Sequence, residues 1–382
     1  MTYDVAIVGA GIVGLAHALA AVRQRLSVVV IDRDLQAVGA SIRNFGFVTV
    51  TGQQAGDTWR RAMRSRDVWD EVAAAARIPI LHSGLVVVAR RPEAAAVLEA
   101  FAADAMGREC RLLEPAAARG HFPFLTGRFE LALHSPHERR VESREAIPRL
   151  AAWLAEVHGV RFMRGTAVQS VGTGRLETAA GPVAARMIVV CPGDDLATLY
   201  PERFTHFGVQ RSQLQMMRLM PRKPVTLGTA LMTDLSLTRY PGYAGLAESA
   251  PLKGRLELEQ PEHLAAGVHL IVVQSADGSL IVGDTHRYGV TMEPFSQAHF
   301  DALVLDEFRC VLPDVAAEVT ERWIGTYAAL ADRPLLRDEP AADVRLVVVT
   351  SGTGASTAFA IGEETIHELM GGAHPAGARP AG

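Results

Sequence analysis

The residue pattern with the clearest chemistry stands at the start of the chain, where glycines recur at a fixed spacing. Gly9, Gly11 and Gly14 form a G-x-G-x-x-G motif between an apolar run and a helical pattern. In such a motif the first glycine permits a tight turn, the second lets the backbone approach a pyrophosphate, and the third lets helix and strand pack closely. Asp32 ends the next apolar run, where its carboxylate would accept hydrogen bonds from ribose hydroxyls. The pattern predicts a dinucleotide site at this helix N-terminus.

A second glycine-rich turn lies near the other end of the chain. Gly352-Thr-Gly-Ala-Ser-Thr357 opens a helix directly after the apolar strand pattern Val344–Thr350. A helix N-terminus there would favour negative charge on the N1–C2=O side of a reduced flavin. Because an NAD enzyme usually completes its site within one contiguous domain, this distant turn favours FAD over NAD.

Composition excludes several classes of partner. The 382 residues include 38 Lys and Arg against 42 Asp and Glu, for a net charge of −4, which gives no basic surface for nucleic acid or an anionic membrane. Cys110, Cys191 and Cys310 are odd in number and scattered, so we expect no disulfide framework, no paired metal ligands and a cytoplasmic location. The apolar run 5–22 follows Asp4 and is broken by glycines, which indicates strand, turn and helix rather than membrane insertion.

The arrangement of elements predicts two interleaved domains. We expect an α/β fold (α+β overall), with a Rossmann-like FAD-binding domain interleaved with an antiparallel β-rich substrate domain. Alternation predicts strands over Leu231–Tyr240, the Gly- and Pro-rich stretch Pro241–Pro261 is typical of a loop, and Ser275–Ser279 predicts a hairpin turn. The expected boundaries are 1–50, 141–200 and 320–370 for the FAD-binding domain, 51–140 and 201–319 for the substrate domain, and 371–382 for a disordered tail.

Beside these motifs, the segment Ser41-Ile-Arg-Asn-Phe-Gly46 carries a family resemblance. With Gly9–Gly14 and Asp32 it resembles the FAD-dependent oxidoreductases of the D-amino-acid oxidase, glycine oxidase and sarcosine oxidase superfamily. The sequences of three segments, Leu214–Arg218, Gly283–Gly289 and 351–359, resemble those of one bacterial subfamily. That subfamily is associated with catabolism of 2-aminoethylphosphonate. The motifs and the resemblance imply non-covalent FAD, held by Gly9, Gly11, Ile12, Val13, Gly14, Asp32, Arg33, Ser41, Arg43, Asn44, Phe45, Gly46, Val168, Cys191, Gly193, Gly352, Thr353, Gly354, Ala355, Ser356 and Thr357.

One departure from the family bears on the substrate. Glycine oxidase-like members carry a carboxylate-binding arginine shortly after a Trp-x-Gly stretch, and here that position falls on Thr326 or Tyr327. A bidentate carboxylate fork is therefore missing, which favours an amine whose anion lies further away, such as a phosphonate. The candidate substrate-binding residues are Arg43, Arg218, Arg239, Tyr240, His286, Tyr288 and Tyr327, with Arg211 as a further cation. The group His134, His137 and Glu138 does not have the spacing of a metal-ligand motif, and we interpret it as part of a solvated loop.

The resemblance implies oxidation of a C–N bond by hydride transfer to flavin N5, with no certain catalytic side chain. We expect an N-methyl or N-alkyl 2-aminoethylphosphonate as the small-molecule amine substrate, phosphonoacetaldehyde and an amine as products, and O₂ or another electron acceptor. Three alternatives stay open: a glycine, sarcosine or D-amino-acid-type oxidase, an NAD-linked dehydrogenase, and a non-catalytic ligand-binding flavoprotein.

The purified protein should be yellow, because a bound flavin absorbs visible light. An absorbance spectrum of the protein as isolated checks this expectation. A colourless preparation without flavin absorbance would instead favour the NAD-linked dehydrogenase.

Overall fold

The computed structural model describes residues 2–372, and its strands form two sheets. The last ten residues of the expected tail, 373–382, lie outside the described residues. The strands are Thr2–Val8 (β1), Val28–Ile31 (β2), Phe47–Val48 (β3), Ile80–Ala89 (β4), Arg111–Leu113 (β5), Leu131–Val141 (β6), Arg161–Met163 (β7), Val168–Gly172 (β8), Arg175–Thr178 (β9), Gly181–Val190 (β10), Gln210–Pro221 (β11), Ala230–Thr233 (β12), Ile271–Gln274 (β13), Leu280–Gly283 (β14), Arg287–Gly289 (β15), Ala317–Ala329 (β16), Leu335–Ala341 (β17) and Val344–Val349 (β18).

The helices connect these strands and cover the sheets. They are Ile12–Arg23 (α1), Asp57–Ala75 (α2), Pro92–Ala103 (α3), Pro115–His121 (α4), Ser143–His158 (α5), Pro201–Phe207 (α6), Asp234–Leu237 (α7), Pro241–Ala244 (α8), Ser249–Glu259 (α9), Pro261–Ala265 (α10), Ala298–Val311 (α11) and Gly354–Leu369 (α12). Over residues 2–372, none of them is long and apolar enough to cross a membrane.

The first sheet is the parallel one, and it is assembled from three distant parts of the chain. Its order is β17-β18-β10-β1-β2-β7, with β17 antiparallel on one edge and the β8–β9 hairpin attached to β10. Both faces of its central strand are covered, because Val5 and Ile7 pack against the helices α1, α5 and α12 while Ala6 between them faces a second core. Continuous apolar runs are the expected pattern for such strands. The predicted α/β class is confirmed.

The second sheet is largely antiparallel and carries the other half of the chain. Its order is β15-β11-β14-β13-β12-β4-β6-β3, with β16 paired to β11 and β5 to β6. The predicted hairpin turn Ser275–Ser279 joins β13 to β14, and a backbone hydrogen bond closes it. Long apolar strands and α3, α9 and α11 enclose one continuous core on this side.

Two segments pack with the sheet opposite to the one in their expected domain. Residues 320–329, expected in the FAD-binding part, lie on β16 in the second sheet. Helix α2, expected in the substrate part, packs on α12 and buries Trp69 in the core of the first sheet. The domain boundaries themselves stay a prediction.

Two secondary-structure predictions between β12 and β13 are wrong. In the predicted strand Leu231–Tyr240, β12 ends at Thr233 and α7 follows directly. The chain turns there because the buried Asp234 carboxylate accepts the Arg90 N–H and pairs with Arg91. The stretch 241–261, expected as a loop, forms α8 and α9 and begins α10. Prolines at the first position of α8 and α10 fit helix starts, where no N–H is needed.

The predicted solvated loop around Glu138 is also wrong. His137 and Glu138 are buried on β6, and the Glu138 carboxylate accepts the backbone N–H of Thr51 at 2.7 Å. The sequence did not indicate β6 because polar residues occupy several of its buried positions. This carboxylate holds a neighbouring loop and has a structural role.

Helices α1 and α12 cross at a glycine. A Cβ on Gly362 would lie 2.8 Å from the carbonyl of Ala16 and 3.0 Å from the amide nitrogen of His17, both backbone groups that cannot move aside. Only glycine therefore permits this helix separation, on which the position of both helix N-termini depends.

The substitution Gly362→Ala should lower the free energy of unfolding by about 1–3 kcal/mol through overpacking. The matched control is Gly254→Ala on α9, where the added Cβ would meet no atom within 4 Å and should be neutral or stabilising by up to about 1 kcal/mol. Denaturant melts of the two variants compare them directly. Equal stabilities would show that α1 and α12 do not need this close contact.

Candidate active site

A cavity of about 830 Å³ lies between the two sheets, within the range of roughly 300–1,000 Å³ typical of ligand pockets. One end is formed by the glycine turns after β1, β10 and β18, and the other by residues of the second sheet, of the connection between α7 and α8, and of the start of α8. The cavity is therefore long enough to join the predicted nucleotide turn to the predicted substrate residues.

Glycine backbone forms the floor at the nucleotide end. A Cβ on Gly9, whose φ is +101°, would lie 2.3 Å from the carbonyl oxygen of Cys191, and one on Gly14 would lie 1.9 Å from the carbonyl oxygen of Gly9. Gly11 precedes α1 and faces the Ser41 hydroxyl, which accepts the Ile12 N–H at 2.9 Å. The turn is held by its own neighbours and leaves the α1 N-terminus at the cavity.

The Asp32 carboxylate lies against this turn. It accepts the N–H of Ala10 at 2.6 Å and that of Asp34 at 2.8 Å. Arg33, its neighbour, points away from the turn and pairs with Asp34 and Asp195. Asp32 therefore already fixes the glycine turn, and its contact with a ribose stays a prediction.

The segment 40–46 is anchored by side chain to backbone hydrogen bonds. Asn44 donates to the carbonyl of Ala40 at 2.6 Å, and its Oδ1 accepts the Gly46 N–H and the Ser143 hydroxyl. Gly46 has a φ of +62°, and a Cβ there would lie 1.9 Å from the carbonyl oxygen of Val141. Asn44 and Gly46 therefore shape the loop that brings Ser41 and Phe45 to the cavity.

A second helix N-terminus reaches the cavity through the turn after β18. Gly352 has a φ of +72°, and a Cβ on it would lie 3.0 Å from the ring of Tyr327. Thr353 precedes α12 without a side-chain cap, and the Ser356 hydroxyl accepts the backbone N–H of Thr49. Two helix N-termini at one cavity favour an anionic ligand such as a dinucleotide pyrophosphate.

Most of the predicted cofactor residues border this cavity. They are Gly11, Ile12, Val13, Gly14, Ser41, Arg43, Asn44, Phe45, Cys191, Gly193, Gly352, Thr353, Gly354, Ala355 and Ser356. The cavity wall does not include Gly9, Asp32, Arg33, Gly46, Val168 or Thr357. Of these, Val168 is buried in the core on the far face of the first sheet.

At the other end, Arg239 brings a positive charge to the cavity wall. Its Nη2 donates to the Tyr288 hydroxyl at 2.9 Å, and no carboxylate lies within 4 Å of it among residues 2–372. Tyr240 and Tyr327 flank it, and burial raises the pKa of Tyr327 to about 12, so that this phenol stays neutral. The site can therefore attract an anion through one arginine and donate hydrogen bonds from neutral tyrosines.

The structure does not bring Arg218 and Arg211 to the cavity. Arg218 faces Glu142, Asp277 and Glu321 and donates to Ser279, so acidic groups already satisfy its guanidinium. Arg211 donates to the backbone carbonyls of Asp194 and Val290. Arg43 does border the cavity, on an exposed loop.

Sequence reasoning missed two of the cavity's buried residues. His269 and Asp284 lie beside the predicted His286, and all three are buried in the cavity wall. Asp284 stands within the motif Gly283–Gly289 that was singled out, so its carboxylate could have been nominated with His286. His269 gave no signal, because a lone histidine before an apolar strand is an ordinary sequence feature.

The interleaved fold and this cavity fit the class of flavoprotein oxidoreductases. Residues 4–368 match the FAD dependent oxidoreductase family termed DAO, and the chain belongs to that family. The predicted superfamily, cofactor and enzyme class are thereby confirmed, and the alternatives of an NAD-linked dehydrogenase and a non-catalytic flavoprotein are set aside.

Solved structures of similar fold cover almost the whole chain. Glycine oxidase from Geobacillus kaustophilus has a TM-score of 0.76 at 19% identity, over 98% of this chain and 96% of that chain. Iminodiacetate oxidase from Chelativorans sp. has a TM-score of 0.73 at 19% identity, over 98% and 97% of the two chains. L-α-Glycerophosphate oxidase from Mycoplasma pneumoniae, solved with FAD bound, has 0.75 at 16%, over 97% and 95%. Comparison with curated proteins found no match.

The donor groups of the cavity fit FAD. The α1 N-terminus can hold its phosphates, the α12 N-terminus can face the N1–C2=O side of the flavin, and the Cβ-free turns at Gly11 and Gly352 allow close approach of the backbone. Burial raises the pKa of the Cys191 thiol, which keeps it protonated and a poor nucleophile for covalent attachment.

Unfolding the protein in acid or guanidinium should therefore release all of the flavin into the soluble fraction. Absorbance of the precipitated chain and of the supernatant measures the distribution, and Cys191→Ser should release the same fraction. Flavin that stays with the wild-type chain but leaves the Cys191→Ser chain would demonstrate a covalent bond.

Proposed function

We propose that this enzyme oxidises the C–N bond of an N-methyl or N-alkyl 2-aminoethylphosphonate, giving phosphonoacetaldehyde and an amine. The observation that carries the proposal is the cavity guanidinium of Arg239, which has no carboxylate within 4 Å among residues 2–372. A cation at a partly closed wall, without its own ion pair, favours a substrate that brings a negative charge.

The position that would hold an α-carboxylate supports the same conclusion. Strand β16 places Thr326 and Tyr327 in the cavity wall, where glycine oxidase-like members have an arginine. The Thr326 hydroxyl donates to the Asp194 carboxylate, and Tyr327 is a neutral phenol. Neither side chain offers a cationic fork, so the anion of the substrate is held elsewhere, by Arg239.

Arginine suits a phosphonate because its paired N–H groups match two oxygens of a tetrahedral oxyanion. The Tyr288 hydroxyl accepts from Nη2 of Arg239 and so fixes the direction of the guanidinium. Arg43 lies at the exposed part of the wall, where it can attract the doubly charged group as it enters. Arg43 therefore attracts the anion at the entrance, and Arg239 binds it inside the cavity.

When bound, FAD supplies the two-electron acceptor for the hydride of the carbon next to nitrogen. The protein's own residues hold the anion at Arg239 and line the reaction space with Tyr240 and Tyr327. Because Arg239 fixes the anion, it determines which C–H bond of the substrate faces the flavin. The rings of Tyr240 and Tyr327 exclude water from the space beside that bond. The resulting imine hydrolyses to the aldehyde and the amine.

A second candidate is an oxidase of glycine, sarcosine or a D-amino acid. The observation that favours it is the same Arg239, because a guanidinium fork also fits a carboxylate. Two structures of similar fold are named for enzymes of a small amino acid and of an amino diacid. The two candidates differ in the anion and in its distance from the amine.

Anaerobic bleaching of the flavin distinguishes them. N-Methyl-2-aminoethylphosphonate and 2-aminoethylphosphonate should reduce the bound flavin faster than glycine, sarcosine or D-alanine at equal concentration. Stopped-flow absorbance gives the rate for each amine. Faster bleaching by an amino acid would select the second candidate.

The substitution Arg239→Gln should raise KM for the phosphonate by about 10–100-fold, since a charged hydrogen bond contributes about 1.5–3 kcal/mol. N-Methylethylamine, which has no anion, should react equally well with both forms. Arg222→Gln is the matched control, because Arg222 is exposed and pairs with Glu318 outside the cavity. An unchanged KM for the phosphonate in Arg239→Gln would contradict the proposed anion site.

A further inference from the structure

Arg239 and Tyr240 enter the cavity wall just after the four-residue helix α7. The backbone N–H groups of both residues donate to the carbonyl of Ser236 in α7, at 3.2 and 3.0 Å. A helix of one turn has almost no stability of its own, because nucleation costs more than its few hydrogen bonds return. The position of Arg239 therefore depends on the contacts that hold α7 in place.

A buried carboxylate holds the start of α7. Asp234 is the first residue of the helix, and its side chain is completely buried. Its Oδ1 accepts the backbone N–H of Arg90 at 2.8 Å, and its Oδ2 lies 2.6 Å from Nη1 of Arg91. Both arginines directly follow the end of β4. Because the two oxygens are bound at two points, the start of α7 is fixed in position and in direction relative to β4.

A second buried carboxylate holds the residue before the helix. Oε1 of Glu307, on α11, accepts a hydrogen bond from the Thr233 hydroxyl at 2.9 Å. Its Oε2 accepts from Nη1 of Arg90 at 3.0 Å and from Nε2 of Gln260 at 2.9 Å. The charged residues that hold the start of α7 are named here the buried ion cluster: Arg90, Arg91, Asp234 and Glu307.

Stability alone does not explain why this cluster is charged. Removing an ion from water costs several kcal/mol, and apolar side chains of similar volume often serve a core equally well or better. The core around the second sheet is otherwise built of apolar side chains. The cavity wall includes no member of the buried ion cluster, so these residues do not touch a ligand there. What the cluster adds to apolar packing is a defined direction, since charged hydrogen bonds fix distances and angles.

The guanidinium of Arg239 needs such support from its backbone. Its side-chain hydrogen bond runs to the Tyr288 hydroxyl, and Tyr288 is 54% exposed. This contact sets the direction of the guanidinium from the solvent side of the wall. The depth at which the guanidinium stands in the cavity is set by the backbone after α7, and hence by the buried ion cluster at the other end of that helix.

We propose that Asp234 is a positioning residue for recognition of the substrate anion, because through α7 it places the guanidinium of Arg239 at the depth that the phosphonate requires. This inference rests on the proposed function. Asp234 acts only through Arg239, so it affects a substrate that carries an anion and leaves an amine without one unaffected. A displacement of a binding group by about 1 Å can cost as much as about 10²-fold in rate.

The test measures anaerobic flavin bleaching of the holoenzyme with two amines, N-methyl-2-aminoethylphosphonate and N-methylethylamine, which has no anion. Asp234→Asn keeps an acceptor for the Arg90 N–H and loses the charge that pairs with Arg91. It should lower the second-order rate constant for the phosphonate about 5–20-fold and leave that for N-methylethylamine within about twofold. A general loss of folded protein would lower both rate constants by the same factor.

Asp301→Asn is the matched control. Asp301 is also a buried aspartate, and its carboxylate accepts from Arg322 at 2.7 Å and from Gln215 at 2.9 Å, outside the cavity. This variant should lower the free energy of unfolding in a denaturant melt and leave the ratio of the two bleaching rate constants unchanged. Where Asp234→Asn does not fold, Thr233→Val removes only the hydroxyl that donates to Glu307 and should lower the ratio about 2–5-fold.

The outcomes separate this inference from the proposed function. A lower ratio in Asp234→Asn, or in Thr233→Val in its place, with an unchanged ratio in Asp301→Asn supports the positioning role. An unchanged ratio in the α7 variant, or an equal loss with both amines, overturns it. Wild-type flavin that the phosphonate does not bleach rejects the proposed function and this inference with it. Loss of the phosphonate reaction in Arg239→Gln, with an unchanged ratio in Asp234→Asn, rejects this inference alone.

Discussion

The whole site depends on one constraint, the close approach of backbone to backbone where parallel strands of the first sheet end. Gly9, Gly193 and Gly352 follow β1, β10 and β18, each with a positive φ. At Gly9 even a methyl group would collide with the carbonyl of Cys191. Because no side chain fills this edge, the space remains open for the cofactor, and the N-termini of α1 and α12 reach it directly. The remaining elements position residues around that opening.

The second sheet supplies the opposite wall by attaching to the same edge. Strand β16 runs alongside β11 through the second sheet, and its last residue, Ala329, forms an isolated bridge with Ser351, two residues after β18 ends. Tyr327 on β16 therefore rests against the turn at Gly352. The proposed substrate wall and the cofactor turn are parts of one hydrogen-bonded connection, which explains how two sheets built from separate segments form a single cavity.

The sequence predicted the cofactor side of this arrangement because local rules govern it. At each of the two helix starts, Ile12 and Gly354, an apolar strand and a glycine turn directly precede the helix, so the signal is local in the chain. The proposed substrate side depends on contacts between distant residues, so the sequence could not separate Arg239, at the cavity, from Arg218, which faces Glu142 and other acidic groups. Alternation in 231–240 was misinterpreted for the same reason, since burial on all sides hides the helical period of α7.

Interleaving also determines when this protein can fold during its synthesis. Strand β1 is central in the first sheet, yet the sheet is complete only when β18 has been made, and α1 packs against α12 at the far end of the chain. Helices α2 and α5 can cover part of the apolar surface of the first thirty residues early, but the part that packs on α12 stays uncovered until nearly the whole polypeptide has been synthesised. FAD meets a finished binding site only after translation, and a chain truncated before α12 would be a substrate for chaperones and proteases rather than a partly active enzyme.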